Sequence, residues 1–134
     1  MKKLNILLIG GTKDASNITK HIKEKYDSYI LTTTTTEYGS KLAIESGSDD
    51  TIAKPLLKDE FITLIETNEF NLLIDATHPY ASHITQTTVS LSKLFNITYI
   101  RFERPPSNLD NVDTSRVHEV TSLDEAGKLI ASDF

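Results

Sequence analysis

The stretch LNILLIGGTKDA, residues 4–15, packs a strand, a double glycine and a helix start into one short run. LNILLI is almost continuous in apolar residues, which suits a central strand of a parallel sheet covered on both faces; a half-exposed strand would alternate. Glycines at its exit allow a sharp turn and a close backbone approach, and a helix N-terminus placed there presents free N–H groups to an anion. Beyond Gly11, Ala15, Ile18, Ile22 and Tyr26 recur at helical intervals, with Lys20, Lys23 and Lys25 on the other side, so an amphipathic helix is predicted.

The rest of the chain repeats this alternation. Short apolar, β-rich runs occur at SYILTTT, DTIAKP, NLLIDAT, ITYIRFE and RVHEVT. Helical spacing lies between most of them. Phe61, Leu64 and Ile65 share a face over 58–70, as do Ile84, Thr88, Leu91 and Phe95 over 80–95. Ser122 and Glu125 form a capping box ahead of Leu123, Ala126, Leu129 and Ile130, which places a last helix there. The fold expected is α/β, a Rossmann-like doubly wound, mainly parallel sheet with helices on both faces, in the order 3-2-1-4-5. One domain over residues 1–134 accounts for the length.

Composition narrows the function. The chain has no cysteine, which removes disulfides and thiolate metal sites and makes cytoplasmic residence the simplest expectation. The apolar stretch of MKKLNILLIGG is too short for a signal sequence, and no segment approaches the ~20 apolar residues of a membrane span. A formal charge of -5 argues against nucleic acid as the main partner. An anionic ligand must therefore be held by local donors.

In the expected strand order the first and fourth strands are neighbours whose carboxyl ends border the ligand crevice. GGT and DATHPYA then lie side by side. Gly10, Gly11 and Thr12 are candidates for a phosphate loop, although Thr12 stands where Gly-x-Gly-x-x-Gly has its middle glycine. Asp75, Thr77 and His78 face a cofactor or substrate, or else Asp75 or Thr77 caps the next helix. His83 is a weaker candidate for the same cleft, His21 and His118 read as structural, and no set of residues reads as a metal site. The second strand ends in Thr32 and Thr33, with no carboxylate before Glu37 and with Lys41 nearby, which favours NADPH over NADH. At YIRFERPP, Arg101 and Glu103 share a face and Arg104 takes the other. Arg101 forks onto a ligand anion, or pairs internally with Glu103.

Taken together, GGTKDA, TTTTTEYGSKL, DATHPYASHI and YIRFERPP, in this order and spacing, resemble the precorrin-6A reductase family of corrin-ring biosynthesis, including its cobalt-precorrin-6A branch. The resemblance spans essentially the whole chain, and DATHPYA followed by Arg-x-x-Arg-Pro is its most specific part. It implies reduction of one C=C bond of a tetrapyrrole substrate on the route to cobalamin, with NADPH, or NADH, as cofactor. It implies nucleotide contacts at Gly10, Gly11, Thr12, Thr32, Thr33 and Thr34. It also implies a reaction centre at Asp75, Thr77 and His78, with His78 managing a proton, and substrate contacts from Tyr80, Arg101 and Arg104. Members of that family commonly carry a second α/β domain after the segment matching VTSLDEAGKLI. Here the sequence ends at Phe134. An amino-terminal domain is expected, incomplete without a carboxy-terminal domain or partner chain. The alternatives are another Rossmann reductase or a non-catalytic regulatory domain. No tyrosine is followed four residues later by lysine, as many short-chain reductases require, and no acidic pair follows the first strand, as a magnesium-binding receiver requires.

Overall fold

The computed structural model describes residues 3–10, 12–77, 82–102, 117–120 and 130, with backbone alone at 82 and 117–120. Strand β1 (Leu4–Ile9) leads into helix α1 (Lys13–Lys25), β2 (Ser28–Thr34), α2 (Glu37–Ser46), β3 (Asp50–Ala53), α3 (Lys58–Thr67), β4 (Leu72–Asp75), α4 (Ser82–Leu94), β5 (Thr98–Phe102) and β6 (Val117–Val120). All six strands are parallel, in the order β3-β2-β1-β4-β5-β6. The expected order therefore holds, and RVHEVT adds a sixth strand beyond β5.

Parallel pairing explains the apolar runs. Leu4, Ile6 and Leu8 of β1 pack with Ala15, Ile18 and Ile22 of α1 on one face; Leu7 and Ile9 pack with Phe61 and Ile65 of α3 and Leu91 of α4 on the other. Each such Leu or Ile contributes about 2 kcal/mol by leaving water. Ile130, the described residue of the expected last helix, is buried in the first cluster, and the rest of that helix lies outside the described residues.

Helix ends follow local chemistry. Thr12 caps α1 by accepting from the Ala15 N–H at 3.2 Å. Tyr26 closes that helix from just outside it, packed against the core. The threonine run divides its labour: Thr32, Thr33 and Thr34 are buried in β2, while Thr36 caps α2 by accepting from Gly39 N–H at 3.0 Å. Helix α3 is shorter than the expected 58–70, ending at Thr67 with Asn68 as its C-cap, so Phe70 packs into the second cluster on the way into β4. Helix α4 likewise ends at Leu94, one residue short of the expected end, and Asn96 turns the chain at φ 56°.

Register puts the carboxyl ends of three strands level, since Ile9 pairs with both Thr33 and Asp75. Gly10 then passes over Ala76 at φ +132°, so close that a Cβ there would lie 2.9 Å from the Ala76 carbonyl oxygen. Gly47, the C-cap of α2, also has positive φ (+112°), but a Cβ there would meet nothing nearer than a Lys23 methylene at 3.4 Å. Both glycine-to-alanine changes should destabilise by about 1–2 kcal/mol from backbone strain. Urea unfolding should show Gly10→Ala costing distinctly more than Gly47→Ala; equal costs would mean that the Gly10–Ala76 contact relaxes freely.

Candidate functional site

At the carboxyl ends of β1, β2 and β4 the chain leaves a crevice of about 310 Å3, the lower end of the range for small-molecule sites. Its polar lining comes from Gly10 and Thr12 after β1, Thr33 to Thr36 at the end of β2, Lys54 after β3 and Thr77 after β4; Ile9, Phe61 and Ile84 are apolar walls. Thr12 fastens the first turn to the fourth strand. Its hydroxyl donates to Ala76 O at 3.1 Å while accepting from Ala15 N–H, and Gly10 N–H donates to Thr33 O at 2.9 Å. The three loops thus form one surface.

Below the crevice floor lies a polar cluster centred on Asp75, whose exposure is 0%. Its Oδ1 accepts from Thr77 N–H at 3.0 Å, the Thr77 hydroxyl at 2.6 Å and Arg101 Nη1 at 3.0 Å. Its Oδ2 accepts from the Thr85 hydroxyl at 2.7 Å and the Tyr99 phenol at 2.6 Å. Arg101 Nη1 also reaches Thr77 Oγ1 at 3.0 Å. The Thr77 hydroxyl proton is therefore committed to Asp75, and at the crevice Thr77 has an acceptor lone pair to offer. Burial, reinforced by the Asp75 charge, pushes the Tyr99 phenol well above the ordinary tyrosine range.

Placement differs from expectation for three residues. Asp75 does not face the crevice, because all five donors draw its carboxylate inward. Arg101, 6% exposed, lies on Asp75 in a buried ion pair instead of reaching outward. Thr32 turns away from the crevice, with its Oγ1 2.8 Å from Ser48 Oγ inside the fold. Gly10, Thr12, Thr33, Thr34 and Thr77 do line it. Gly11, His78, Tyr80 and Arg104 lie outside the described residues, as does Glu103. His83 is exposed near the start of α4. Lys41 is exposed on α2 and is not part of the lining. Among the described residues no group of three or more acidic or histidine side chains is placed to hold a metal ion, and no helix is long and apolar enough to cross a membrane.

Sequence reading passed over Lys54, Tyr99 and Thr85. Lys54 had a signal, because residues directly after parallel strands border the crevice. Tyr99 had one too: it stands two residues before Arg101, hence on the same face of β5. Thr85 had none, since its partner is ten residues away on a different element.

A glycine turn, six parallel strands in this order and a ligand-sized crevice where the chain reverses direction define a Rossmann-type α/β protein. The family model described as precorrin-6x reductase CbiJ/CobK matches residues 5–132, and the chain belongs to that family. A cobalt-precorrin-6A reductase of Methanococcus maripaludis is 39% identical over 127 residues, covering 94% of this chain and 49% of that protein. The chain thus spans about half the length of the curated relatives it matches. Among solved structures, CobK precorrin-6A reductase superposes with a TM-score of 0.62 at 18% identity, covering 80% of this chain and 40% of that one. Mycobacterial Rv1454c, solved with NADPH, superposes with a TM-score of 0.57 at 16% identity over 98% of this chain and 44% of its own. At such identities the likeness is one of fold.

Breaking the buried cluster should be costly. Arg101→Met leaves the Asp75 carboxylate without its counter-ion and is expected to cost about 3–5 kcal/mol in urea unfolding. Asp75→Asn in the same chain should recover part of that loss, and a purely additive pair would mean that the two side chains do not interact.

Tyr99 sets a pH limit. The folded protein keeps the phenol proton where the unfolded chain releases it, near pH ~10. Stability is then complete below that value and falls as pH rises further. Tyr99→Phe should flatten this alkaline decline in thermal melts recorded from pH 8 to 11. An unchanged slope would mean that Tyr99 ionises as freely folded as unfolded.

Proposed function

We propose that the chain is the amino-terminal, nucleotide-binding part of an NADPH-dependent reductase acting on precorrin-6A or cobalt-precorrin-6A in corrin biosynthesis. The observation that carries this is the convergence of Gly10, Thr12, Thr33 to Thr36 and Thr77 on one crevice in a chain of this family. The crevice suits the adenosine half of a dinucleotide. Its floor is apolar at Ile9 and Phe61, its rim carries hydroxyls, and among the described residues no carboxylate lines it. Gly10 lets the first turn close against the Ala76 backbone, and the N-terminus of α1 beside it favours a pyrophosphate.

When bound, the nicotinamide supplies a hydride. The chain's own residues then have separate tasks. Thr77 accepts a hydrogen bond from the ligand. Asp75 and Arg101 hold Thr77 in place from below. His78, next in sequence, is the histidine of DATHPYA and delivers the proton that accompanies hydride addition to the C=C bond. Tyr80 and Arg104 contact the tetrapyrrole, with a carboxy-terminal domain or partner chain forming the opposite wall.

Calorimetric titration should show saturable NADPH binding that needs no magnesium; absence of binding at millimolar nucleotide would end the reading of the crevice. In the chain joined to its complementary half, His78→Ala should lower turnover by about 100-fold or more while leaving nucleotide affinity intact. Full turnover across neutral pH would remove His78 from the chemistry.

A further inference from the structure

Lys54 is the one charged side chain among the described residues lining the crevice. Thr34 pairs with Ala53 in the β2–β3 register, so Lys54 stands beside Thr35, just past the end of the edge strand β3. It lines two spaces at once, the crevice and a second cavity of about 420 Å3 beside α3. Its ammonium is turned to the Glu60 carboxylate on α3, in an ion pair whose side chains are 58% and 34% exposed. Exposed pairs of this kind are individually weak, and a lysine ammonium on its flexible stem changes partners readily. Glu60 does not need Lys54 to stay in place. Its other oxygen accepts from the Leu57 N–H at 3.0 Å, capping the start of α3.

The surroundings favour an anion at this point. Thr35 and Thr36 are exposed and carry hydroxyls along the adjoining rim, and among the described residues the acidic residue that reads ribose hydroxyls in NAD-preferring folds has no counterpart in the lining. Lys41, the cation that the sequence brought forward, is not in the lining either. We propose that Lys54 is the specificity-determining residue of the crevice, exchanging Glu60 for the phosphomonoester on the adenosine ribose of NADPH. This rests on the nucleotide reading of the crevice and adds a residue and a partner exchange to it. The exchange is a change of ion-pair partner, with no bond made or broken. Glu60 is left exposed to solvent and still bonded to Leu57 N–H, so no charge is stranded in the interior.

Calorimetric titration of the wild-type chain, Lys54→Met and Glu60→Gln with NADPH and NADH tests the proposal. Lys54→Met should lose about tenfold in NADPH affinity, the size of one charge-assisted hydrogen bond, with NADH affinity unchanged. Glu60→Gln, which frees Lys54 in advance, should bind NADPH a few-fold more tightly and NADH as before. Equal effects of Lys54→Met on both nucleotides would overturn the role of Lys54 while leaving the nucleotide crevice standing. A wild-type chain that binds neither nucleotide would overturn both.

Discussion

The Asp75 carboxylate lies at the carboxyl end of β4 with no exposed surface, and a charge so placed is tolerable only if every lone pair is used. The donors come from separate elements: Thr77 from the β4 exit, Thr85 from α4, Tyr99 and Arg101 from β5. These elements cannot move independently without leaving a buried acceptor unpaired. An apolar cluster of similar volume would stabilise the sheet as well or better, since buried ion pairs repay their desolvation poorly. What it would not do is turn the Thr77 proton inward and fix which lone pair meets the crevice. The cluster is therefore better understood as a device for orientation than as a source of stability.

A second constraint ties that cluster to the first turn. Gly10 crosses Ala76 at a separation that admits no side chain, and Thr12 bonds the Ala76 carbonyl from the start of α1. The glycine turn and the DAT segment are consequently set by one another. Because Ile9 is in register with both Thr33 and Asp75, the end of β2 joins them at the same height. The crevice is a product of sheet register, with side chains only finishing its walls.

Much of this was legible in the sequence, for identifiable reasons. Continuous apolar runs at LNILLI and NLLID betray strands buried on both faces, and the spacing of Ala15, Ile18 and Ile22 betrays the helix between β1 and β2. Strand order followed from the α/β alternation, and the positions of Gly10, Thr12 and Thr77 from strand order. Side-chain direction was harder. Asp75 and Arg101 carry the residue types of a ligand site, but residue type does not distinguish a charge that meets a ligand from one that meets its counter-ion one strand away. The Ile9–Asp75 and Asp75–Arg101 register, which decides the matter, is a property of pairing between distant segments. Thr32 misled for a related reason: successive residues of a strand point to opposite faces, and in TTTTT only the structure tells which hydroxyls turn outward.

The balance of charge gives these placements a common purpose. A chain of net charge -5 repels anions at a distance, yet the described residues that line its crevice include no carboxylate and one lysine. Two features remove the negative charge that lies nearest. Asp75 is neutralised from below by Arg101, and Glu60 is held on α3 by Lys54 and the Leu57 N–H, outside the crevice lining. Thr12 and Thr77 spend their hydroxyl protons on Ala76 O and Asp75, so Lys54, the Thr35 and Thr36 hydroxyls and the first N–H groups of α1 set the local potential, over hydrogen-bond distances where the global charge counts least. An anion meeting such a surface would be held by contact instead of by long-range attraction.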